Sequence, residues 1–598
     1  MTKGEGCTLS HPYRTHTCGE LSVADVGKEV KLSGWVHRRR DHGRLIFVDL
    51  RDRYGITQIV FSADRAPEAY EAAKGLRSEY VIRVQGEVVA RPADMRNPNL
   101  KTGDIEVWAG RLDVLNPSKP LPFEIDVEKP VPETVNLKYR YLYLRRQSVQ
   151  ERLIMRHRIT HWVRNFLHAR GFIEIETPLL SKTTPEGARD FLVPSRNFPG
   201  TFYALPQSPQ QYKELLMIAG FDKYFQIARC LRDEDPRADR QPEHTQIDIE
   251  MSFVTREDVL ALLEEMIIGL VEEVSDRKLL FKPLPRIPYA EAIARWGSDK
   301  PDLRFGMELQ DVSAIAAKSG FRVFADAVAQ GGQVKGIVVP GLAGLSRREL
   351  DEVNARAQQL GGKGIVWLAV NPEGSVRAST SHLEPEITQA IVAATKANPG
   401  DLILLVGDTP KTVANVLGQV RLDFGDRLGL RDPQIVAFAF IIDFPMFEWD
   451  EERQRYDPVH HMFTRPRPDS LPLLDTDPLA AISEQYDIVC NGLELASGSI
   501  RINERWLQEK VMQMVGLSLE EARSKFGHLL EALEFGAPPH GGVAPGLDRL
   551  VMVLTGTPAL REVIAFPKTQ RGEDLMMNSP IPASEEQLRE LHLRVVED

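Results

Sequence analysis

The sequence is short of cysteine: four in 598 residues, Cys7, Cys18, Cys230 and Cys490, with no CxxC pair. That argues against a disulfide scaffold and a cysteine-held zinc site, and a reducing, cytoplasmic setting fits best. Long apolar runs are lacking as well. The longest, IVAFAFIID from Ile435, is too short to cross a bilayer, and the N-terminal MTKGEGCTLSHPYRTHTC has no apolar core of the kind a signal peptide carries. Neither membrane association nor export is expected. Basic residues do not outnumber acidic ones: 74 Lys and Arg stand against 85 Asp and Glu, a net charge of −11. This argues against a non-specific nucleic-acid coat, and no DNA partner is expected.

What the sequence does have is length, enough for three or four domains of ordinary size. Hydrophobic content of 42% and charged content of 27% are those of a globular chain. From Glu29 to about Asp113, five short β-rich runs separated by polar turns predict a small barrel of the OB-fold type. Residues 31–63 carry seven Lys and Arg against three Asp, a local basic patch in an acidic protein. Within it Arg40 supplies a phosphate-pairing cation, Phe47 a ring on which a base can stack, and Gln58 an amide that can read a base edge. The bland alternative is a solvated basic turn beside a core Phe.

The proline-rich stretch 119–150 reads as a hinge or linker, leaving 1–118 for an N-terminal extension and the barrel. A helix is predicted from about Ser148 to Arg170, stopped by Gly171 and followed by the strand-like FIEIETP. Next come a Gly/Pro-punctuated loop with Glu186, and LPQSPQQYK with Ser208, Gln210 and Lys213. Two alternating runs, FQIARCL and TQIDIEMSF, then predict an antiparallel hairpin with one polar face that holds Arg232 at one end and Gln246, Asp248 and Glu250 on the other strand. Taken alone, that face would be in water. A helix is predicted from about Glu257 to Asp276. Residues 298–431, with alternating helices and strands and recurrent glycine turns, read as an inserted α/β domain between two halves, 151–297 and 432–598, of one larger domain.

Near the end, Asn491-Gly492 signals a tight hairpin. A two-residue turn there sets Val489 opposite Glu494 and puts Asp487 diagonal to it, ~7 to 8 Å away between backbones. Two such carboxylates can share a hydrated Mg²⁺, or can simply be an acidic pair on a wet surface. Arg501 lies seven residues beyond Glu494, so a regular strand would point the two apart. If they serve one site a β-bulge must intervene, with Ser497-Gly498 the expected place. The last segment, GGVAPGLDRLVMVL, is a glycine turn entering an apolar helix with Arg549 in its first turn, a start that favours anions without being a GxxxxGK[ST] loop.

GFIEIETP, CLRDED and GLDR together resemble, in order, the three motifs of class II aminoacyl-tRNA synthetases. TPEGARDFLVPSR, YALPQSPQ, RADRQPE, GSDKPDLR and AFPKT look like those of a bacterial-type aspartyl-tRNA synthetase, over nearly the whole chain. The resemblance implies an α+β multidomain fold: an N-terminal OB-fold barrel, an antiparallel-sheet catalytic domain and an inserted α/β, GAD-like domain. It also implies a homodimer built around motif 1, with ATP and L-aspartate as substrates and Mg²⁺ as cofactor. The tRNA partners would be tRNA(Asp) and, because His42 stands in RRRDHG with Asp94 a second position in the same discrimination, tRNA(Asn) too. Arg232 would meet the ATP α-phosphate, Arg549 the terminal phosphates, and Asp487 with Glu494 the Mg²⁺. Glu234 would hold the adenine amine and His244 would stack on the ring, with Asp233, Gln241, Gly546, Leu547 and Asp548 completing the nucleotide site. Lys213 and Arg501 would clamp the substrate side-chain carboxylate, and Asp248 would orient them. Glu186, Ser208 and Gln210 would recognise the α-ammonium, and His460 would cover the aspartate. Arg40, Phe47 and Gln58 would read the anticodon. The sequence departs from the family pattern at Leu231, His244, Ala496-Ser497 and Pro545. The rival readings are an enzyme strictly specific for tRNA(Asp), an asparaginyl or lysyl enzyme of the same layout, and a catalytically silent RNA-binding paralogue.

Overall fold

The computed structural model describes residues 11–183, 188–234 and 240–596. Its contacts divide between Asn136 and Leu137 into two compact units. In the first, β1 (Glu29–Asp41), β2 (Leu45–Asp52), β3 (Gly55–Ser62), β4 (Val81–Ala90) and β5 (Ile105–Asn116) close a barrel in the order β1-β2-β3-β5-β4. Strict alternation explains the closure: Ile46, Val48 and Leu50 on β2 and Ile82 and Val84 on β4 are all fully buried. The proline-rich stretch up to Asn136 groups with this unit, where Arg38 Nε and Nη2 donate to Asp126 Oδ2 at 3.1 and 2.9 Å.

The second unit is laid on a mixed sheet of eight strands. Helix α1 (Gln147–His168) buries Ile159, Val163 and Leu167 at helical spacing, and the chain turns at Gly171, whose φ of +82° suits glycine. The short β6 (Ile173–Glu174) follows, then α2 (Gln210–Ile218) and the hairpin β7 (Lys223–Leu231) and β8 (Glu243–Ser252). Thr255 and Asp258 form the capping box of α3 (Arg256–Val274), which is laid across α1 so closely that a side chain at Gly269 would meet the Trp162 ring. After β9 (Arg286–Pro288) the inserted domain forms its own sheet from β10 (Gln310–Asp311), β11 (Gln333–Val339), β12 (Val366–Val370), β13 (Val376–Ala378) and β14 (Leu402–Asp408), in the order β10-β11-β14-β12-β13. Helix α4 (Pro410–Arg427) ties this domain back. Its buried Arg421 donates to the carbonyls of Asp302, Phe305 and Gly306.

The chain then returns to the large sheet through β15 (Phe438–Ile442), β16 (Gln485–Cys490), β17 (Leu493–Ile500) and β18 (His540–Val543), and ends it with α5 (Leu547–Thr555). The sheet order is β9-β15-β16-β17-β18-β8-β7-β6. One face carries the core: Phe225, Ile247, Ile249 and Met251 pack with the helices. The opposite face of the hairpin is polar yet buried, with Asp248 and Glu250 both 0% exposed. The polar side is therefore the floor of a cavity and not a wet surface.

The expected bulge exists, at a different residue. Val489 pairs with Glu494 but Ile488 pairs with Ala496, so the extra residue is Leu495 and not Ser497-Gly498. Residues 498–500 are hydrogen-bonded to β18 as well as following β16, through Gly498↔Val543, Ser499↔Gly542 and Ile500↔Gly541. Held on both edges, that segment stays regular and the slip falls before it. Among the described residues no helix is long and apolar enough to cross a membrane.

Candidate active site

A cavity of about 450 Å³ opens over the polar face of the hairpin. Its floor is set by register: Asp248 lies opposite Gln226, Gln246 opposite Ala228 and His244 opposite Cys230, so alternate residues of β8 point up together. Helix α2 brings Gln210 and Lys213 to one side, β17 and its exit bring Glu494 and Arg501 to another, and the start of α5 adds Gly546 and Arg549. Arg232, Glu234 and Gln241 flank the tip of the hairpin, and Ser208, His460 and Asp487 also line the space. Asp233 and Leu547 do not line it. Asp233 instead bridges backbone to backbone with Arg189, and Leu547 is buried in the core. Asp548 lines the cavity already engaged, in an ion pair with Arg156 and accepting from Thr245 N–H at 3.0 Å. Glu186 falls outside the described residues.

At one end lies a cluster of buried charge. Lys213 Nζ is 2.7 Å from Asp248 Oδ1 and 3.2 Å from Glu250 Oε2, and Arg501 grips Glu250 with Nε at 3.0 Å and Nη2 at 3.2 Å. All four side chains are at most 2% exposed. Burial pushes the Asp248 carboxyl up against the pull of Lys213. For Glu250, burial is outweighed by Arg501 and Lys213, and its carboxyl is held down at about 2. A buried ion cluster of this kind is weak evidence of stability, since desolvation consumes most of the Coulomb gain. Asp248 Oδ2 is a buried oxygen without a hydrogen-bond partner of good geometry among the described residues, and burial first, then the nearby Asp248 charge, raises the Tyr224 hydroxyl.

The surroundings fix donors and acceptors. Gln210 Nε2 donates to Glu214 Oε1 at 2.6 Å, and because a carboxylate only accepts, the amide must turn its oxygen elsewhere. Glu214 Oε2 lies 3.5 Å from His540 Nε2; burial would lower that imidazole, but the carboxylates of Glu214 and Glu250 raise it. Above the cluster, burial first and then the nearby Arg501 and Lys213 lower His460 to about 3 and His461 well below its usual value, leaving both rings neutral. Arg501 Nη1 donates to His461 Nε2 at 2.9 Å.

The other end gathers guanidinium groups and an aromatic ring. Arg549 Nη1 donates to the Glu494 carbonyl at 2.8 Å, and Arg240 Nη1 donates to Glu234 Oε2 at 2.8 Å. Burial, aided by Arg232, lowers the half-buried His244 to about 3, so it offers a neutral aromatic face. Burial and then the charge of Glu494 push Asp487 up to about 7. A carboxylate pair that repels in this way, with a hydroxyl already donated from Ser497 at 2.6 Å, fits a divalent cation that takes one or two carboxylates and keeps its waters.

In the barrel unit Arg40 pairs with Phe47 across β1 and β2, and Asp49 pairs with Gln58 across β2 and β3. Arg40 Nη2 reaches Asp49 Oδ1 at 2.8 Å and Gln58 Oε1 at 3.1 Å, and the exposed His42 meets the Phe47 ring edge-on at 5.6 Å between centroids. Asp94 is exposed in a 3₁₀ turn. The sequence reading missed Glu250, His461, Glu214, Gln485 and Asp299. The strand alternation put Glu250 on the right face, but its partner Arg501 is 251 residues away along the chain.

Known proteins of similar sequence and fold identify the family. The family model described as tRNA synthetases class II (D, K and N) matches residues 132–570, and that of the OB-fold nucleic acid binding domain matches residues 30–115. The chain belongs to the class II aminoacyl-tRNA synthetases. It is 55% identical over 98% of both chains to the aspartate–tRNA(Asp/Asn) ligase of Rubrobacter xylanophilus. It is 53% identical to the protein of that name from Moorella thermoacetica, over 98% of this chain and 97% of that one. Within the class, the family is that of the aspartyl-tRNA synthetases. Solved structures share the fold at low identity. The asparaginyl-tRNA synthetase of Pyrococcus horikoshii superposes with a TM-score of 0.57 at 18% identity, over 91% of this chain and 96% of that one. The aspartyl enzyme of Entamoeba histolytica gives 0.56 at 18%, over 91% and 89%.

Proposed function

We propose that this protein joins L-aspartate to tRNA at the expense of ATP, and that it serves both tRNA(Asp) and tRNA(Asn). The observation that carries the reading is the buried Lys213–Arg501 pair, held rigid by Asp248 and Glu250 in the same cavity as Arg232 and Arg549. Two fixed cations suit a substrate carboxylate as a further, charge-assisted acceptor beside Asp248 and Glu250, and asparagine would present one of them with an amide nitrogen that cannot accept. Gln210, with its oxygen turned from Glu214, and Ser208 accept from the α-ammonium, joined by Glu186; His460, as a neutral ring, closes over the substrate.

The α-carboxylate oxygen attacks the α-phosphorus of ATP in line, a new P–O bond forms, and the bond to the bridging oxygen breaks as pyrophosphate leaves with the electron pair. Arg232 receives the charge that spreads over the α-phosphate, Arg549 holds the leaving phosphates, and Glu234 with His244 fixes the adenine. Such catalysis is positioning and electrostatics, with no protein nucleophile. A Mg²⁺ held by Asp487 and Glu494 would neutralise phosphate charge. The terminal ribose hydroxyl of tRNA then attacks the mixed anhydride and AMP departs.

For the anticodon, Arg40, Phe47 and Gln58 form one hydrogen-bonded, ring-bearing patch, with His42 packed on Phe47. Its reach towards tRNA(Asn) rests on His42 and on the relatives, which are named as aspartate–tRNA(Asp/Asn) ligases. A second copy of the chain covers the edge strand β6 and the segment that follows it, where Ile173, Leu179 and Leu180 are 48, 50 and 53% exposed. A cytoplasmic location is part of the same reading. The test is amino-acid-dependent exchange of pyrophosphate into ATP. Aspartate alone should support it, and exchange driven by asparagine or lysine instead would overturn the assignment.

A further inference from the structure

Asp487 is held by two side chains that the nucleotide chemistry does not itself call for. Ser497 Oγ donates to Asp487 Oδ1 at 2.6 Å, and Gln485 Nε2 donates to the same oxygen at 3.2 Å. The two come from different strands. Gln485 shares a face of β16 with Asp487, two residues away, while Ser497 is its cross-strand partner on β17. The bulge at Leu495 makes that pairing: with an unbroken register Ala496 would stand opposite Asp487 and no hydroxyl would reach it.

The consequence is an asymmetric carboxylate. An oxygen that accepts two hydrogen bonds has both lone-pair sites in use, so only Oδ2 remains for a ligand. Gln485 carries a second clue. With Nε2 facing a carboxylate its amide cannot be turned round, so Oε1 is an acceptor; that atom is buried, the residue is 4% exposed and lines the cavity, and Oε1 has no partner among the described residues. Once a bound cation holds Asp487 and Glu494 ionised, both only accept and neither supplies the missing donor. Water on a bound cation has donors to spare.

We propose that Gln485 and Ser497 are positioning residues that make Asp487 a one-oxygen ligand, selecting a small, hydrated divalent cation over a larger one. A carboxylate free to grip with both oxygens suits Ca²⁺, which takes six to eight ligands, whereas Mg²⁺ keeps several waters and a strict octahedron. The proposal rests on the reading of Asp487 and Glu494 as the cation-holding pair, and the test separates the two.

Full-length enzyme with ATP, lacking aspartate and tRNA so that no reaction occurs, is titrated with Mn²⁺ and the free ion is followed by electron paramagnetic resonance, alone and against competing Ca²⁺. Gln485→Leu and Ser497→Ala should each weaken Mn²⁺ roughly tenfold, the effect of one charge-assisted hydrogen bond, and the pair should narrow the preference for Mn²⁺ over Ca²⁺. Ser497→Thr, which keeps the hydroxyl, should bind as the parent does, and KM for aspartate should stay within about twofold throughout. If both variants fold, as circular dichroism reports, and keep Mn²⁺ affinity and selectivity while Asp487→Asn loses the ion, the positioning role is overturned and the cation pair stands. If Asp487→Asn also keeps it, both fall. Ser497→Ala removes a single oxygen at a half-buried position, so it carries the test should Gln485→Leu not fold.

Discussion

At the scale of the residue, the decisive pairing is Arg501 with Glu250, a guanidinium gripping a carboxylate with neither in water. Removing one partner strands the other. Glu250→Gln should therefore cost about 3 to 5 kcal/mol in denaturant unfolding and abolish aspartate activation, although Glu250 need not touch substrate. The histidines give a second expectation. Burial and nearby cations hold His244 and His460 down at about 3 in the folded chain and His461 well below its ordinary value of 6.5. Between pH 6.5 and about 3 the unfolded chain thus binds protons that the folded chain refuses, so these rings leave stability intact above 6.5 and erode it as pH falls. His460→Asn with His461→Gln should flatten the fall in unfolding free energy over that window. Lys213, Asp248 and Arg501 were legible in the sequence through the resemblance of its motifs to the family, because spacing alone did not bring them together. Glu250, Glu214 and His461 were not, because their roles depend on partners that only the sheet brings near.

At the scale of the element, alternation and capping foretold most boundaries: the helix expected from Ser148 to Arg170 runs Gln147–His168, and that expected from Glu257 to Asp276 runs Arg256–Val274. The bulge was legible as a need and not as a place, because β17 is regular where it pairs with β18, and that pairing joins segments with no local signal of each other. The same pairing leaves no room beside Glu250. A methyl on Gly542 would meet Glu250 Oε2 and the Ile249 carbonyl, both at 2.1 Å, whereas on Gly541 it would meet the movable Ile500 Cδ1 at 2.5 Å. Gly542→Ala should lower kcat/KM for aspartate at least a hundredfold and lower Tm, as overpacking against backbone does. Gly541→Ala should do markedly less in both assays.

At the scale of the whole molecule, an α+β catalytic unit, an inserted sheet and a five-stranded barrel were expected from runs of strand and helix, and the two family models cover the first and last of these. The inserted domain offered no chemistry to the sequence reading. Its buried Arg421, which holds the carbonyls of Asp302, Phe305 and Gly306, is an anchor for the segment that carries the cavity-lining Asp299. The exposed Ile173, Leu179 and Leu180 predict association: the protein should elute at twice its chain mass, and Leu180→Asp should shift it to the monomer with loss of charging. The most direct measurement of the central claim is aminoacylation of purified tRNA(Asp) and tRNA(Asn) with labelled aspartate. Both should be charged, at rates that fall together in Arg501→Lys. Failure to charge either tRNA with aspartate, or preferential charging with asparagine, would contradict the account.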